Sequence, residues 1–280
     1  MLPATLDSAV RTAKSSGMNR GLKLIVANWK MNELREEGES LALAVANRSQ
    51  EFEADIVICP PFTLLNVVAQ DLAGSKVNLG AQDCHPEEKG AFTGDISARM
   101  LCDVGASYVI VGHSERRAHY GEANDFVARK AHAALEAGLI PIICVGETMA
   151  IRESGMAESY VGTQLRESLP DLKPGQVIVV GYEPVWAIGT GKSCSYNDIT
   201  SMHTTLRGTL AAVDGSLNAT RIIYGGSVKA GNAAEILALP DVDGALVGGA
   251  SLDATSFLAI IAAAKNAVGQ LVRTSYNSAS

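Results

Sequence analysis

Apolar residues in this chain gather in short unbroken runs: LKLIVAN (22–28), DIVICP (55–60), KVNLGAQ (76–82), ASYVIVGH (106–113), LIPIICVGE (139–147), QVIVVGYE (176–183), TRIIYGG (220–226) and DGALVGG (243–249). A strand with one face in water alternates apolar and polar positions, and these runs do not, so each is expected to be buried on both faces, as strands of a parallel sheet are. Between them the period changes to three and four. In NDFVARKAHAALEAG (124–138) that spacing predicts a helix stopped by Gly138. Another helix is expected from Ser195, where Asp198 three residues on makes a capping-box-like start.

Strand and helix thus alternate along the chain with no Pro/Gly/Ser-rich linker to divide it. Eight such units either close as a (β/α)8 barrel or lie open as a doubly wound sheet. The open sheet ordinarily carries a glycine-rich turn after its first strand, and here that place holds ANWKMN. The fold class expected is therefore α/β, a single (β/α)8 barrel over 21–270, with 1–20 as an N-terminal extension and 271–280 as a C-terminal tail. The extension reads as a flexible tail or as preceding a start at Met18, with a targeting segment as the alternative.

Composition narrows the function. A net charge of −7 without a run of five like charges argues against nucleic acid and against a basic membrane patch, so an anionic substrate must be held by local positive charge. Five scattered cysteines, none in C-x-x-C spacing, indicate neither a disulfide framework nor a zinc site, and no run is long enough to span a bilayer. A reducing, cytoplasmic location is expected.

In a barrel the chemistry sits at the C-terminal ends of the strands. The first run ends in Asn28-Trp29-Lys30, placing an amide and a cation at the mouth. The fourth ends in His113, where a helix N-terminus would favour the neutral imidazole. The sixth ends in Glu183; Pro184 prevents a helix from continuing, and Trp186 and Ile188 are expected to cover the carboxylate, raising its pKa and making it a better base toward a carbon acid. The seventh and eighth end in Gly225-Gly226-Ser227 and Gly248-Gly249, whose backbone N–H groups suit a phosphate. A nucleotide P-loop around GTGKS is excluded, because that motif needs glycine where Trp186 stands.

With these residues in view, the chain resembles the triosephosphate isomerase family. NWKMN (28–32), GAQ (80–82) with GAFTG (90–94), VGHSERR (111–117), CVGE (144–147), GYEPVWAIGTGK (181–192), YGGSV (224–228) and LVGGASL (246–252) are similar to its motifs and follow its order over about 22–268. The resemblance implies interconversion of dihydroxyacetone phosphate and glyceraldehyde 3-phosphate with no metal and no organic cofactor. It implies that Glu183 is the base and His113 the electrophile; that pair, with its neutral histidine, is the established description of this family and not a deduction from the residues. Lys30 is implied to attract the dianion and stabilise the enediolate, with Asn28 hydrogen-bonding nearby and Glu115 orienting the lysine.

By the same resemblance Gly189, Ser227, Gly248 and Gly249 bind the phosphate. The lid runs through Pro184, Val185, Trp186, Ala187, Ile188, Gly189, Thr190, Gly191 and Lys192. The long loop 82–100 is implied to dock, around Thr93, into a second copy, giving a homodimer. Ser193-Cys194-Ser195 and Asp95 depart from the family's usual residues. A four-carbon ketose phosphate isomerase and a non-catalytic phosphosugar-binding protein are the competing readings. The first is expected to alter the lid or phosphate contacts and the second to lack Lys30, His113 or Glu183, and here all of these are intact.

Overall fold

The computed structural model describes residues 21–188 and 194–277, with 266–277 as backbone alone. All eight apolar runs form strands: β1 (Lys23–Asn28), β2 (Ala54–Cys59), β3 (Val77–Ala81), β4 (Tyr108–Val111), β5 (Ile140–Val145), β6 (Val179–Tyr182), β7 (Arg221–Tyr224) and β8 (Gly244–Val247). They pair in parallel in sequence order, and β1 pairs with β8 through Ile25↔Ala245 and Val26↔Leu246, closing the barrel. The helices are α1 (Arg35–Arg48), α2 (Leu65–Asp71), α3 (Ala98–Asp103), α4 (Ser114–Tyr120), α5 (Asn124–Ala137), α6 (Met149–Glu153), α7 (Ala157–Ser168), α8 (Tyr196–Val213), α9 (Ala233–Ala238) and α10 (Ala254–Asn277). Helix α10 continues into the segment set apart as a tail. Among the described residues no helix is long and apolar enough to cross a membrane.

The absence of alternation has the expected cause. Along β1, Leu24 and Val26 join Val57, Cys59, Ile110, Ile142, Cys144, Val179, Ile223 and Leu246 in one buried cluster, which fills the barrel. Ile25 and Ala27 point the other way, into a second layer shared with Leu41 and Val45 of α1. Successive side chains of a strand face opposite sides, so both layers demand apolar residues. Each such burial contributes roughly 1.5–3 kcal/mol.

The helix limits also follow from the sequence. Gly138 ends α5 at φ +93°, a left-handed conformation that costs glycine nothing, and its N–H returns to Leu135 O at 3.1 Å. Ser195 caps α8 by accepting from Asp198 N at 3.1 Å, worth about 1 kcal/mol. At the N-terminal end of the barrel, Arg221 pairs with Asp55, and Arg207 with Asp243 at 2.7 Å. Those ion pairs tie the closed end together, leaving the opposite end for chemistry.

Candidate active site

The lysine after β1 stands in an unusual backbone conformation. Lys30 has φ +54°, outside the range that side chains with a Cβ prefer, at a cost of about 1–3 kcal/mol unless its surroundings impose it. Here they do. Asn28 Oδ1 accepts from Lys30 N at 3.0 Å, and Gln82 Nε2 donates to Lys30 O at 2.8 Å and Cys59 O at 3.0 Å. The strained backbone points Lys30 Nζ at Glu115 Oε1, 2.6 Å away. Gln82 belongs to the GAQ motif, but the sequence gives it no role; its only signal is an amide directly following a buried strand.

After β4 the chain turns at Gly112 and enters α4, with His113 as the capping residue. Its Nδ1 accepts from Glu115 N at 3.3 Å, while Nε2 lies 2.8 Å from Glu183 Oε1. Glu183 follows β6 and is 1% exposed. Its other partners are Ser114 N, donating to Oε2 at 2.9 Å, and Ser114 Oγ, donating to Oε1 at 3.2 Å. Ser114 was not among the residues singled out from sequence, because a serine after a histidine carries no distinctive signal.

These contacts correct two sequence expectations. Burial does push the Glu183 carboxyl upward, but the charge and hydrogen bond of His113 and the two Ser114 donors outweigh it and hold Glu183 below the usual carboxylate range. Burial likewise pushes His113 down, yet Glu183, aided by Glu115, raises it above the ordinary histidine value against the opposing charge of Lys30. An apolar cover and a helix N-terminus favour neutral groups only while the acid and the imidazole are apart. The cover is also partial. Ile188 lines the cavity, whereas Trp186 Nε1 donates to Glu147 Oε1 at 2.8 Å.

Asn28, Lys30, His113 and Glu183 open into one cavity of about 640 Å³, which Ser227, Gly248 and Gly249 also line. Of the first glycine pair, Gly225 N is already spent on Tyr182 O at 2.7 Å. The donors left for an anion are therefore later in the turn, at Ser227, and after β8. Lys30 lines the cavity from the end of β1, close against Gly248, and Lys229 lines it after β7. Among the described residues no group of three or more His, Cys, Asp or Glu side chains is placed to hold a metal ion.

The root of the expected lid is anchored from below. Glu147 is fully buried; besides Trp186, it accepts from Tyr182 OH at 3.1 Å and pairs with Arg152 at 2.9 Å, and its backbone O accepts from Val185 N at 3.1 Å. Cys194 on the far side is buried, with its thiol hydrogen-bonded to Tyr224. Gly189, Thr190, Gly191 and Lys192 lie outside the described residues. Thr93 sits exposed at the tip of the loop after β3, which folds on itself through His85 N→Ile96 O at 2.8 Å and Asp95 N→Phe92 O at 3.0 Å.

Comparison with known proteins agrees with this arrangement. Residues 23–264 match the family model described as triosephosphate isomerase. The chain is 53% identical over 249 residues to the triosephosphate isomerase of Ruegeria pomeroyi, covering 88% of this chain and 99% of that protein. It is 50% identical over 238 residues to that of Xanthobacter flavus, covering 85% and 95%. The crystal structure of triosephosphate isomerase from Bartonella henselae superposes with a TM-score of 0.79 at 41% identity, over 87% of this chain and 99% of that one. Because the match runs through the whole barrel and includes every strand end that faces the cavity, this chain belongs to the triosephosphate isomerase family.

Proposed function

We propose that this protein is a triose-phosphate isomerase, interconverting dihydroxyacetone phosphate and D-glyceraldehyde 3-phosphate through an enediolate, in glycolysis and gluconeogenesis, as a cytoplasmic homodimer. The observation that carries the reading is the convergence of Lys30, His113 and Glu183 on one cavity with Ser227, Gly248 and Gly249. The phosphate binds through the backbone donors at Ser227, Gly248 and Gly249, with Gly189 adding another N–H; the part given to Gly189 rests on its motif alone. Substrate carbonyl and hydroxyl oxygens then face His113 Nε2 and Lys30 Nζ, and Glu183 takes a proton from one carbon and returns it to the other. Asn28 holds the backbone that aims the lysine.

The ligand-free geometry explains how the base is readied. Glu183 is ionised but occupied, held by His113 and Ser114. To reach a substrate carbon it must leave them, and its departure removes the larger of the two influences that raise His113, leaving the weaker one of Glu115. Burial, Lys30 and the Glu115 N–H on Nδ1 then favour a neutral ring whose Nε2–H points to the substrate oxygen. One movement thus frees a base and restores a neutral donor.

The homodimer is supported by apolar exposure on the loops after β1, β2, β3 and β4. Met31 is 96% exposed and Tyr120, the last residue of α4, 71%; Leu34, Phe62 and Phe92 are exposed as well, and Phe62 and Tyr120 line one cavity with Gly94 and Asp95. Apolar side chains gathered in this way suit a protein partner.

A coupled assay of the purified chain with triose and four-carbon ketose phosphates tests the activity. Turnover of the triose phosphates is expected, and a folded protein without it refutes the reading.

A further inference from the structure

Arg117 is a cation with no acid of its own. It sits near the end of β5, partly buried, and donates to four oxygens: Gly112 O at 2.8 Å from Nε, Asn124 Oδ1 at 2.7 Å from Nη1, and Cys144 O at 3.1 Å and Ser168 Oγ at 3.0 Å from Nη2. None of the four is ionised, and among the described residues no carboxylate forms an ion pair with Arg117. Its neighbour Arg116 has two, Asp83 at 2.9 Å and Glu122 at 2.7 Å. The difference shows in their pKa values: burial lowers Arg117 below the ordinary arginine value, whereas the carboxylates raise Arg116 in spite of burial. Removing a guanidinium from water without a counter-charge is costly, and neutral donors on a shape-matched side chain would hold the same elements together at less expense. The charge therefore calls for an explanation in what it touches.

What it touches is the turn that presents the catalytic groups. Gly112 has φ +67°, and a Cβ there would lie 2.7 Å from Val127 Cγ1 and 3.0 Å from Arg117 Nη2, so the backbone passes closely under the guanidinium. The next residues are His113 and Ser114, which hold Glu183, and Glu115, which holds Lys30. Arg117, on the same helix, reaches back to Gly112 O and across to Cys144 O on β5, next to Val145, whose carbonyl accepts from Glu183 N at 2.8 Å. One side chain thus fixes the β4 turn to the strand that in turn registers Glu183.

We propose that Arg117 is a positioning residue of the isomerase: its fork sets the turn that presents His113 and Ser114, and its unneutralised charge is left to act on the Glu183–His113 pair. The proposal rests on the isomerase reading. The ionisable groups around the guanidinium include Cys144 from β5, Glu183 from β6, Tyr160 from α7 and Glu122 from the α4–α5 connection, with Glu167 of α7 one amide away through Asn124; Glu122 already serves Arg116 and Lys130. Around Glu183 stand His113, Ser114 and Cys144, with Lys30 and Glu115 beyond the imidazole. A positive charge on this side favours the ionised carboxylate and disfavours the imidazolium, so both groups should titrate at higher pH once it is neutralised.

Three variants of the full chain test this. Arg117→Gln removes the fork and the charge, and Arg117→Lys keeps only the charge. Asn124→Asp combined with Glu167→Gln sets a counter-charge at the existing 2.7 Å contact while leaving the chain's net charge unchanged; Glu167 is replaced because it accepts from Asn124 Nδ2 at 2.8 Å. Displacing a reacting group by a fraction of an ångström to 1 Å costs up to about a hundredfold. Arg117→Gln is accordingly expected to lower kcat by about ten- to a hundredfold with KM within about threefold, and Arg117→Lys to fall between it and the wild type. The double variant is expected to unfold no earlier than the wild type, yet to move both the acid limb of kcat/KM and the His113 NMR titration to higher pH.

The NMR titration needs no turnover, so it judges Arg117 even if the triose phosphates prove not to be the substrates. If the arginine variants do not fold, the double variant still decides. An unmoved His113 titration and acid limb, or arginine variants that melt earlier but keep wild-type kcat and pH profile, overturn the proposal.

Discussion

His203 gives the sharpest test of how burial sets protonation in this barrel. It lies on α8, fully buried, with Nδ1 2.9 Å from Asp241 O, no hydrogen-bond partner at Nε2 among the described residues, and its ring centroid 5.9 Å from that of Tyr182 and 6.4 Å from that of Tyr224. Burial lowers its pKa from 6.5 to about 4, against the upward pull of the Asp241 carbonyl and the charges of Asp243 and Asp241, while Arg207 pushes it further down. A folded-state pKa below the unfolded one means that the stabilisation is present in full above the unfolded value and is lost as pH falls through the folded one. The window is therefore from pH 6.5 down to about 4. The 2.5-unit difference, at about 1.4 kcal/mol per unit, gives roughly 3 kcal/mol in total, of which about 2 kcal/mol is gone by about pH 5.

Urea unfolding at about pH 7.5 and about pH 5 should show it when the wild type is set beside His203→Asn, whose amide keeps a donor toward Asp241 O and cannot titrate. The variant is expected to start lower, because the smaller side chain leaves a cavity. Between the two pH values, however, the wild type should lose about 2 kcal/mol more than the variant does. Other acid-sensitive groups are common to both proteins and cancel in that difference. Equal losses would refute the reasoning, showing that His203 is either already protonated in the fold or not confined by it.

Three further outcomes bear on the site. Glu183→Gln should lower kcat by ~10² to 10⁴ with little change in KM, measured in the coupled assay; activity within tenfold of wild type sinks the base assignment. If Glu115 acts by orienting Lys30, Glu115→Gln, which keeps an acceptor for Nζ, should cost less than about tenfold in kcat and Glu115→Ala clearly more; an equally severe loss in both points instead to proton transfer by the carboxylate. Thr93→Arg puts a charge at the exposed loop tip and should shift the protein toward monomer in sedimentation velocity, and an unchanged distribution removes Thr93 from the interface.

The eight strands were legible because a barrel buries each strand on both faces, and unbroken runs such as ASYVIVGH have few other uses. Helix limits at Gly138 and Ser195 were legible for local reasons, one a left-handed backbone and the other a side-chain cap. The candidate site residues could be read because a barrel places strand ends together whatever lies between them, so Asn28, Lys30, His113, Glu183, Ser227, Gly248 and Gly249 needed only the order of strands to meet.

What the sequence could not carry was the state of those groups. Whether Glu183 is raised or lowered depends on a 2.8 Å contact with a residue seventy positions earlier, and on two donors from Ser114, whose identity alone is unremarkable. The same holds for Gln82, Glu147 and Arg117, polar residues whose importance lies in which backbone atoms they reach from another strand. Hydrophobic period and turn chemistry act over a few residues, so the chain itself determined the barrel and which strand ends meet at its mouth. Electrostatics and hydrogen bonding depend on distance in space, so only the closed barrel decided how the site is charged, aimed and held.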